Sequence, residues 1–423
     1  MLNRLIAPPT RPLGRVDLPT AQVSELPNGA RLHVMAHSAQ PVVRLQILLP
    51  AGRWYDSSPG TSLLTARALL EGTTTRTARQ IAEEVAFYGA SLECEQGFDR
   101  ATLTLYCLTR HLGQLLPVVQ DVLLNATFPE LEVEQLKTRT IQNIRVERQK
   151  TSYLAAERFS QNLYGAKHPY GQVFDEHSFQ QLTADDLRRY YRQAYSLAKA
   201  EILLCGDVTD AQVAAVVASL SIPAQTEQTP SGLYSSPADT ATTDYVKVPN
   251  SLQASLRLGR LWPNASYPDT HGLQVLVKVL GGYFGSRLMK NIREDKGLTY
   301  GIYASISHRE HASSCIIGSD VNATNAQLAI NEIHRELHTL QEALIPEEEL
   351  ETVRNYILGK FLNELGTIFE QADKYRHIIA LGLPSTFYQD FLAEVESISP
   401  KRLLELGQVY LTPQLFTEVV AGP

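Results

Sequence analysis

Two side chains in the second half of this chain, Arg293 and Tyr300, have the types and spacing to act together on one polar group. Arginine offers a planar, permanently charged fork of N–H donors, and tyrosine adds a hydroxyl on a rigid ring. Aimed at one carbonyl oxygen, they would stabilise the negative charge that builds there under nucleophilic attack. The ordinary alternative is a solvated arginine and a tyrosine at a core margin, since charged side chains are mostly exposed. Their positions depend on the surrounding segment. Gly281, Gly282 and Gly285, around Tyr283 and Phe284, form a glycine-rich turn that lets backbone approach something closely or take positive φ. A short helix follows, with Leu288, Met289 and Ile292 at helical spacing and Lys296-Gly297 as its stop. Then Leu298, Tyr300, Ile302, Ala304 and Ile306 alternate with Thr299, Gly301, Tyr303 and Ser305, a strand with two distinct faces. Arg293 therefore stands near a helix end and Tyr300 near a strand start, and the two can converge across the turn between them.

The rest of the chain supplies two rounds of similar elements. In the first, Val42–Pro50 is an apolar strand, and residues 60–71 read as a helix stopped by Gly72. Thr77-x-x-Gln80 opens a second helix to Tyr88 with a capping-box pattern. Strands Ser91–Gln96 and Ala101–Leu108 follow, then helices over 113–125, 131–165 and 183–195, strand Glu201–Cys205 and a helix closing near 220. Residues 222–243 are dense in Pro, Ser, Thr, Gln and Gly and read as a linker. After it the order returns: strand Leu252–Gly259, helix Thr270–Leu280, the Arg293 segment, strands 298–306 and 314–321, helices near 325–341 and 346–366, and a closing strand Phe416–Ala421. The expected organisation is an α+β half over 1–221, a linker over 222–243 and a second α+β half over 244–423. Each half is a mostly antiparallel sheet covered by helices.

The stretch Ser286-Arg287-Leu288, Arg293-Glu294-Asp295-Lys296-Gly297-Leu298 and Tyr300, behind its glycine turn, resembles the second-half signature of the insulinase-like (pitrilysin) zinc metallopeptidases. That family includes the mitochondrial processing peptidase. The similarity is specific in this stretch and runs in order over nearly the whole chain. It implies a fold of two homologous halves that form one side of a clam-shell chamber. It also implies that Arg293 and Tyr300 reach a peptide in that chamber as catalytic groups. Gly281, Gly282, Phe284 and Gly285 would help shape the place where the peptide binds.

Catalytic members carry H-x-x-E-H on the first helix, two imidazoles on one helical face for zinc and a glutamate to activate water. Here the same context, Gly60-Thr61 to Gly72-Thr73, encloses Leu63-Leu64-Thr65-Ala66-Arg67. The imidazole positions hold Leu63 and Arg67, and the base position holds Ala66. The third ligand position, a glutamate in the family, falls near Asn143. Leucine cannot ligate, alanine cannot act as a base, and Arg67 puts a fixed cation where a dication would sit. Other histidines offer no replacement. His334 and His338 share a helix face that reads as solvated, His308 and His311 fall in a polar hairpin expected to be exposed, and His33 and His37 lie on an extended segment. His168-Pro169-Tyr170-Gly171 reads as a structural loop. The chain has neither a G-x-S-x-G elbow nor a P-loop.

Composition narrows the remaining classes. The chain is 44% hydrophobic and 20% charged, an ordinary globular profile. Net charge is −7, which argues against nucleic acid as a partner. No apolar run approaches the length of about 18 residues needed for a membrane span. The start of the chain lacks a signal-like apolar core, and Cys94, Cys107, Cys205 and Cys315 lie in apolar strand-like runs as reduced thiols, so a cytoplasmic location is expected. The resemblance then implies a non-catalytic subunit without a cofactor of its own. Its partner would be a homologue bearing H-x-x-E-H and the zinc, and their common substrate an unfolded or extended peptide held partly by strand addition at a sheet edge. The alternative is a structural core or peptide-binding subunit of the same fold with no part in hydrolysis.

Overall fold

A computed structural model describes residues 20–222, 234 and 241–423. The first round of the chain gives strands β1 (Gln22–Glu25), β2 (Arg31–Ala36), β3 (Val42–Leu49), β4 (Ser91–Gln96), β5 (Ala101–Leu108) and β6 (Glu201–Gly206). Its helices are α1 (Thr61–Ala68), α2 (Ala78–Phe87), α3 (Leu112–Asn125), α4 (Glu130–Glu147), α5 (Thr151–Tyr164), α6 (Glu176–Gln181), α7 (Ala184–Ala194) and α8 (Asp210–Leu220). The second round gives β7 (Thr243–Lys247), β8 (Gln253–Trp262), β9 (Thr299–His308), β10 (Ser313–Asn322) and β11 (Thr417–Gly422). Its helices are α9 (Thr270–Gly281), α10 (Ala326–Glu342), α11 (Glu347–Asn363), α12 (Ile368–Ala380), α13 (Phe387–Ser397) and α14 (Pro400–Tyr410). The linker expected over 222–243 falls mainly outside the described residues, and Thr243 already opens β7.

Among the described residues the strands form two sheets, in the orders β1-β2-β6-β3-β5-β4 and β7-β11-β8-β10-β9. Without β1 the two orders correspond strand for strand, and each has one parallel pair, β2 with β6 and β7 with β11. The other pairings are antiparallel. This is the α+β architecture of two homologous halves that the order of elements predicts. The strand β3, flanked by β6 and β5, reads Val-Val-Arg-Leu-Gln-Ile-Leu-Leu, a near-continuous apolar run suited to a sheet centre covered on both faces. Helix α2 starts where its capping box places it: Thr77 accepts from the Gln80 N–H while the Gln80 side chain accepts from the Thr77 N–H.

One expected element divides. The helix expected over 131–165 is two helices, because Lys150 is extended (φ −91°, ψ 129°) and α5 sets off in a new direction. That direction takes α5 out of its own half. It packs across β8 and β11 of the second sheet, with Ala155, Phe159 and Leu163 against Val419 and Ala421. Gly259 on β8 permits the approach, since a Cβ there would lie 2.8 Å from Phe159 Cζ. Helix α12 makes the reciprocal move. Ala372 packs on Met35 and Cys205 of the first sheet, and the Tyr375 hydroxyl lies 2.8 Å from His33 Nδ1. Each sheet thus owes part of its cover to the other half.

The β9–β10 hairpin is expected to be exposed; His311 is, but the hairpin also docks on the first half through the tip of the β4–β5 hairpin. The Arg309 guanidinium lies over Phe98 at 3.5 Å and over Tyr170 at 4.7 Å, Glu310 pairs with Arg100, and His311 stacks on Trp54 at 3.7 Å. His308 is shielded there, and burial, then the His377 charge, push its pKa down to about 4. Cation–π and ion-pair contacts of this kind let charged residues leave water. His33 is not free either: buried on β2, it lies 2.8 Å from Glu201, which also accepts from Arg31.

Candidate functional site

In the first half, α1 carries Leu63, Ala66 and Arg67, the positions that the resemblance aligns with the metal motif. Its start is fixed by Asp56, whose carboxylate accepts from the N–H groups of Gly60 (3.2 Å) and Ser62 (2.5 Å). Gly60 is left-handed at φ 94°, a conformation that favours glycine. Burial raises the Asp56 carboxyl to about 7 although those N–H groups favour the charged form. Leu63 is half-buried against the apolar core and Ala66 is fully buried. Arg67 reaches across to α4, where its Nη1 donates to Thr140 Oγ1 at 3.1 Å. Thr140 and the exposed Asn143 are one helical turn apart on α4 and share a face. Burial, then the nearby charge of Arg139, lower the pKa of Arg67. Apolar side chains and a cation do not fit zinc. Among the described residues no group of three or more His, Cys, Asp or Glu is placed to hold a metal ion. His334 pairs with Glu418 at 2.7 Å rather than with His338.

The second half presents the other residues. Helix α9 ends at Gly281, which is buried with its Cα against β9, and a Cβ there would lie 2.6 Å from the Ala304 nitrogen. Close approach therefore demands this glycine. Gly282 and Gly285 crowd Lys278 and the Tyr283 ring, and none of the three has positive φ. Leu288, Met289 and Ile292 bury into the core, and Arg287 clamps the turn to α11 through two bonds to Glu349 at 2.8 and 2.9 Å. Gly297, at φ 61°, ends the helical segment where the stop signal predicts.

That short helix is not α-helical. Met289–Asp295 is wound as a π-helix, and the Lys296 N–H bonds back five residues to the Asn291 carbonyl at 3.2 Å. Such turns are rare and occur frequently at functional sites. Arg293 lies on it, half-buried, with its guanidinium 4.7 Å from the centre of the 59%-exposed Phe284 ring. No carboxylate pairs with it among the described residues. Tyr300 is 93% exposed. It too stands on an irregularity: Thr299 faces Val321 and Ile302 faces Ser319, so Tyr300 and Gly301 together oppose Asp320 in a β-bulge. Arg293 and Tyr300 line one cleft of about 740 Å³ with Leu298, Asp320 and Asn322. The structure thus brings Phe284, Arg293 and Tyr300 to one surface and leaves Gly281 in the packing beneath. Neither the π-turn nor the bulge is visible in the apolar spacing, which reads the same for an α-helix and a regular strand.

The chemistry such a surface permits is hydrogen-bond donation to an incoming oxygen, from a stacked guanidinium and a free phenol. The strand β9 that carries Tyr300 is the last of its sheet, so its outer backbone edge is open to an added strand. Among the described residues no helix is long and apolar enough to cross a membrane.

Comparison with known proteins agrees with this layout. Residues 33–173 match the family model described as insulinase (peptidase family M16), and residues 181–357 match the one described as the peptidase M16 inactive domain. An uncharacterized zinc protease, YmxG of Bacillus subtilis, is 25% identical over 397 residues, 92% of this chain and 94% of that protein. A non-peptidase homolog, YmxG of Helicobacter pylori, is 24% identical, with 81% of this chain and 80% of that protein aligned. The crystal structure of a peptidase M16 inactive domain from Pseudomonas fluorescens superposes with a TM-score of 0.87 at 23% identity, covering 95% of this chain and 98% of that one.

Proposed function

Because the chain belongs to the insulinase family, peptidase family M16, and its metal-motif positions hold Leu63, Ala66 and Arg67, we propose that it is the non-catalytic subunit of a two-chain peptidase. A homologous partner bearing H-x-x-E-H supplies the zinc and the base. This chain supplies Arg293 and Tyr300, which donate to the carbonyl oxygen of an extended peptide as it becomes an oxyanion. The observation that carries the reading is the pairing of two facts. The metal positions are filled by groups that cannot serve, while Arg293 and the 93%-exposed Tyr300 line an open cleft. A tyrosine so exposed has no packing role within the chain and is available to a peptide.

The test is reconstitution with the homologous H-x-x-E-H chain, zinc and a fluorogenic extended peptide. This chain alone is expected to be inert. In the assembled pair, Arg293→Ala lowers kcat by about 100- to 1,000-fold, the scale for losing one oxyanion donor. Tyr300→Phe lowers it less, because only a hydroxyl goes. Gel filtration checks that both variants still assemble. Undiminished turnover in both assembled variants rejects the role, and failed assembly makes Arg293 an interface residue instead.

A further inference from the structure

We propose that Asn291 and Thr299 are positioning residues, each fixing one of the two irregularities that aim Arg293 and Tyr300. This rests on the oxyanion role given above to that pair.

The argument begins with what a π-turn costs. It carries one residue too many for α-helical bonding, with poorer hydrogen-bond geometry, and persists where something else holds it. Asparagine is a weak helix former that bonds readily to nearby groups. Asn291 is buried at 9% exposure and saturates its amide beneath the turn. Its Nδ2 donates to Glu332 (3.0 Å) and Glu336 (2.7 Å) on α10, and its Oδ1 accepts from Lys296 Nζ at 2.6 Å. Its carbonyl accepts the five-residue bond from the Lys296 N–H. One side chain therefore ties both ends of the turn to a neighbouring helix. Without it the segment is free to relax towards α winding, which rotates Arg293 off the Phe284 ring.

Thr299 does the same for the bulge. Its hydroxyl donates to the Asp320 carbonyl at 2.7 Å and accepts from the Gly301 N–H at 3.1 Å and from Ser319 Oγ at 3.0 Å. These bonds close around the two residues that oppose Asp320. Returning to regular pairing would shift Tyr300 to the other face of the strand.

The experiment is a pair of double-mutant cycles in the assembled two-chain enzyme, reading kcat and KM separately. Asn291→Leu is expected to lower kcat by about 10- to 100-fold, the scale of a misplaced catalytic group. Made in an Arg293→Ala background, it lowers kcat no further. Thr299→Val behaves likewise towards Tyr300→Phe. Thermal unfolding of this chain should fall by the same amount with or without Arg293, which separates stability from positioning. Should Asn291→Leu fail to fold, Lys296→Met removes one of the same bonds at a partly exposed position and gives a smaller effect with the same coupling. Multiplicative losses in both cycles overturn the positioning role and leave the proposed function standing. An Arg293→Ala variant of full activity overturns both.

Discussion

Truncating Phe159 tests whether the two halves are one cooperative unit. Phe159 belongs to the first half by sequence but is buried, at 2% exposure, among Ala155, Leu163, Val419 and Ala421 on the second sheet. It also fills the space left by Gly259. Phe159→Ala removes the ring and leaves a cavity, with an expected loss of about 3–5 kcal/mol. Against a typical total of about 5–15 kcal/mol this is large. For a chain of this size the urea slope is about 3 kcal/mol/M or more, so the midpoint falls by about 1 M. The chain provides its own local reporters, because its two tryptophans lie in different halves: Trp54 at the docked hairpins and Trp262 in β8. In single-tryptophan variants, Trp54→Phe and Trp262→Phe, both signals should shift together on adding Phe159→Ala. A shift of the Trp262 transition with the Trp54 transition unmoved would refute the mutual cover of the sheets.

Two further outcomes follow from the same architecture. Limited proteolysis should cut first within the Pro- and Ser-rich residues 222–243, yet the two fragments should co-elute in gel filtration without denaturant, because α5 and α12 each lie on the opposite sheet; fragments that separate would contradict this. In the first half, burial opposes ionisation of Asp121, but hydrogen bonds from Thr73, Thr75, Asn125 and Arg76 outweigh it and lower its pKa from the ordinary 3.8 to about 2. That carboxylate therefore contributes stability above about pH 4 and loses it as the pH falls through 3.8 towards 2, in all about 2 kcal/mol. Asp121→Asn should flatten that acid limb in pH-dependent urea titrations, and an unchanged acid limb would show that the network contributes nothing.

Most elements are legible in the chain because local chemistry and tertiary demand agree. The β4 and β5 bounds follow from alternation and from the turn residues between them, and α2 follows from its capping box. The failures occur where long-range contacts decide. Residues 131–165 have helix-forming character throughout, and the break before Thr151 arises because Ala155 and Phe159 find their burial against Val419 and Ala421, at the far end of the chain. The hairpin at His308–His311 looks polar because its cation is destined for an aromatic pocket contributed by Phe98, Tyr164 and Tyr170. At the candidate site the residue types Arg293, Tyr300 and Phe284 are legible, and the structure brings them to one surface. The π-turn and the bulge are not legible. Their cause lies in Asn291 and Thr299 bonding to partners on α10 and β10, and neither residue stands out in a one-dimensional pattern.

The two docked hairpins fix where the cleft of Arg293 and Tyr300 stands along β9. Strand β9 meets the first half at its His308 end, and Tyr300 lies towards its opposite end, eight residues away. At about 3.4 Å per residue, that puts Tyr300 about 27 Å along the strand from the seam. Helix α1 lies on the other side of that seam, beside β4 and the Arg53–Tyr55 turn whose Trp54 stacks on His311. The cleft of Arg293 and Tyr300 therefore lies far along β9 from the contact that α1 borders. A nucleophile must come within about 3–3.5 Å of the carbon it attacks. On the proposed reading, the partner's H-x-x-E-H residues would hold the zinc and supply the nucleophile, while Arg293 and Tyr300 would hold the carbonyl. The set Leu63, Ala66 and Arg67 has neither an imidazole nor a carboxylate to offer a peptide. Helix α1 is instead part of the core, with Arg67 turned to Thr140.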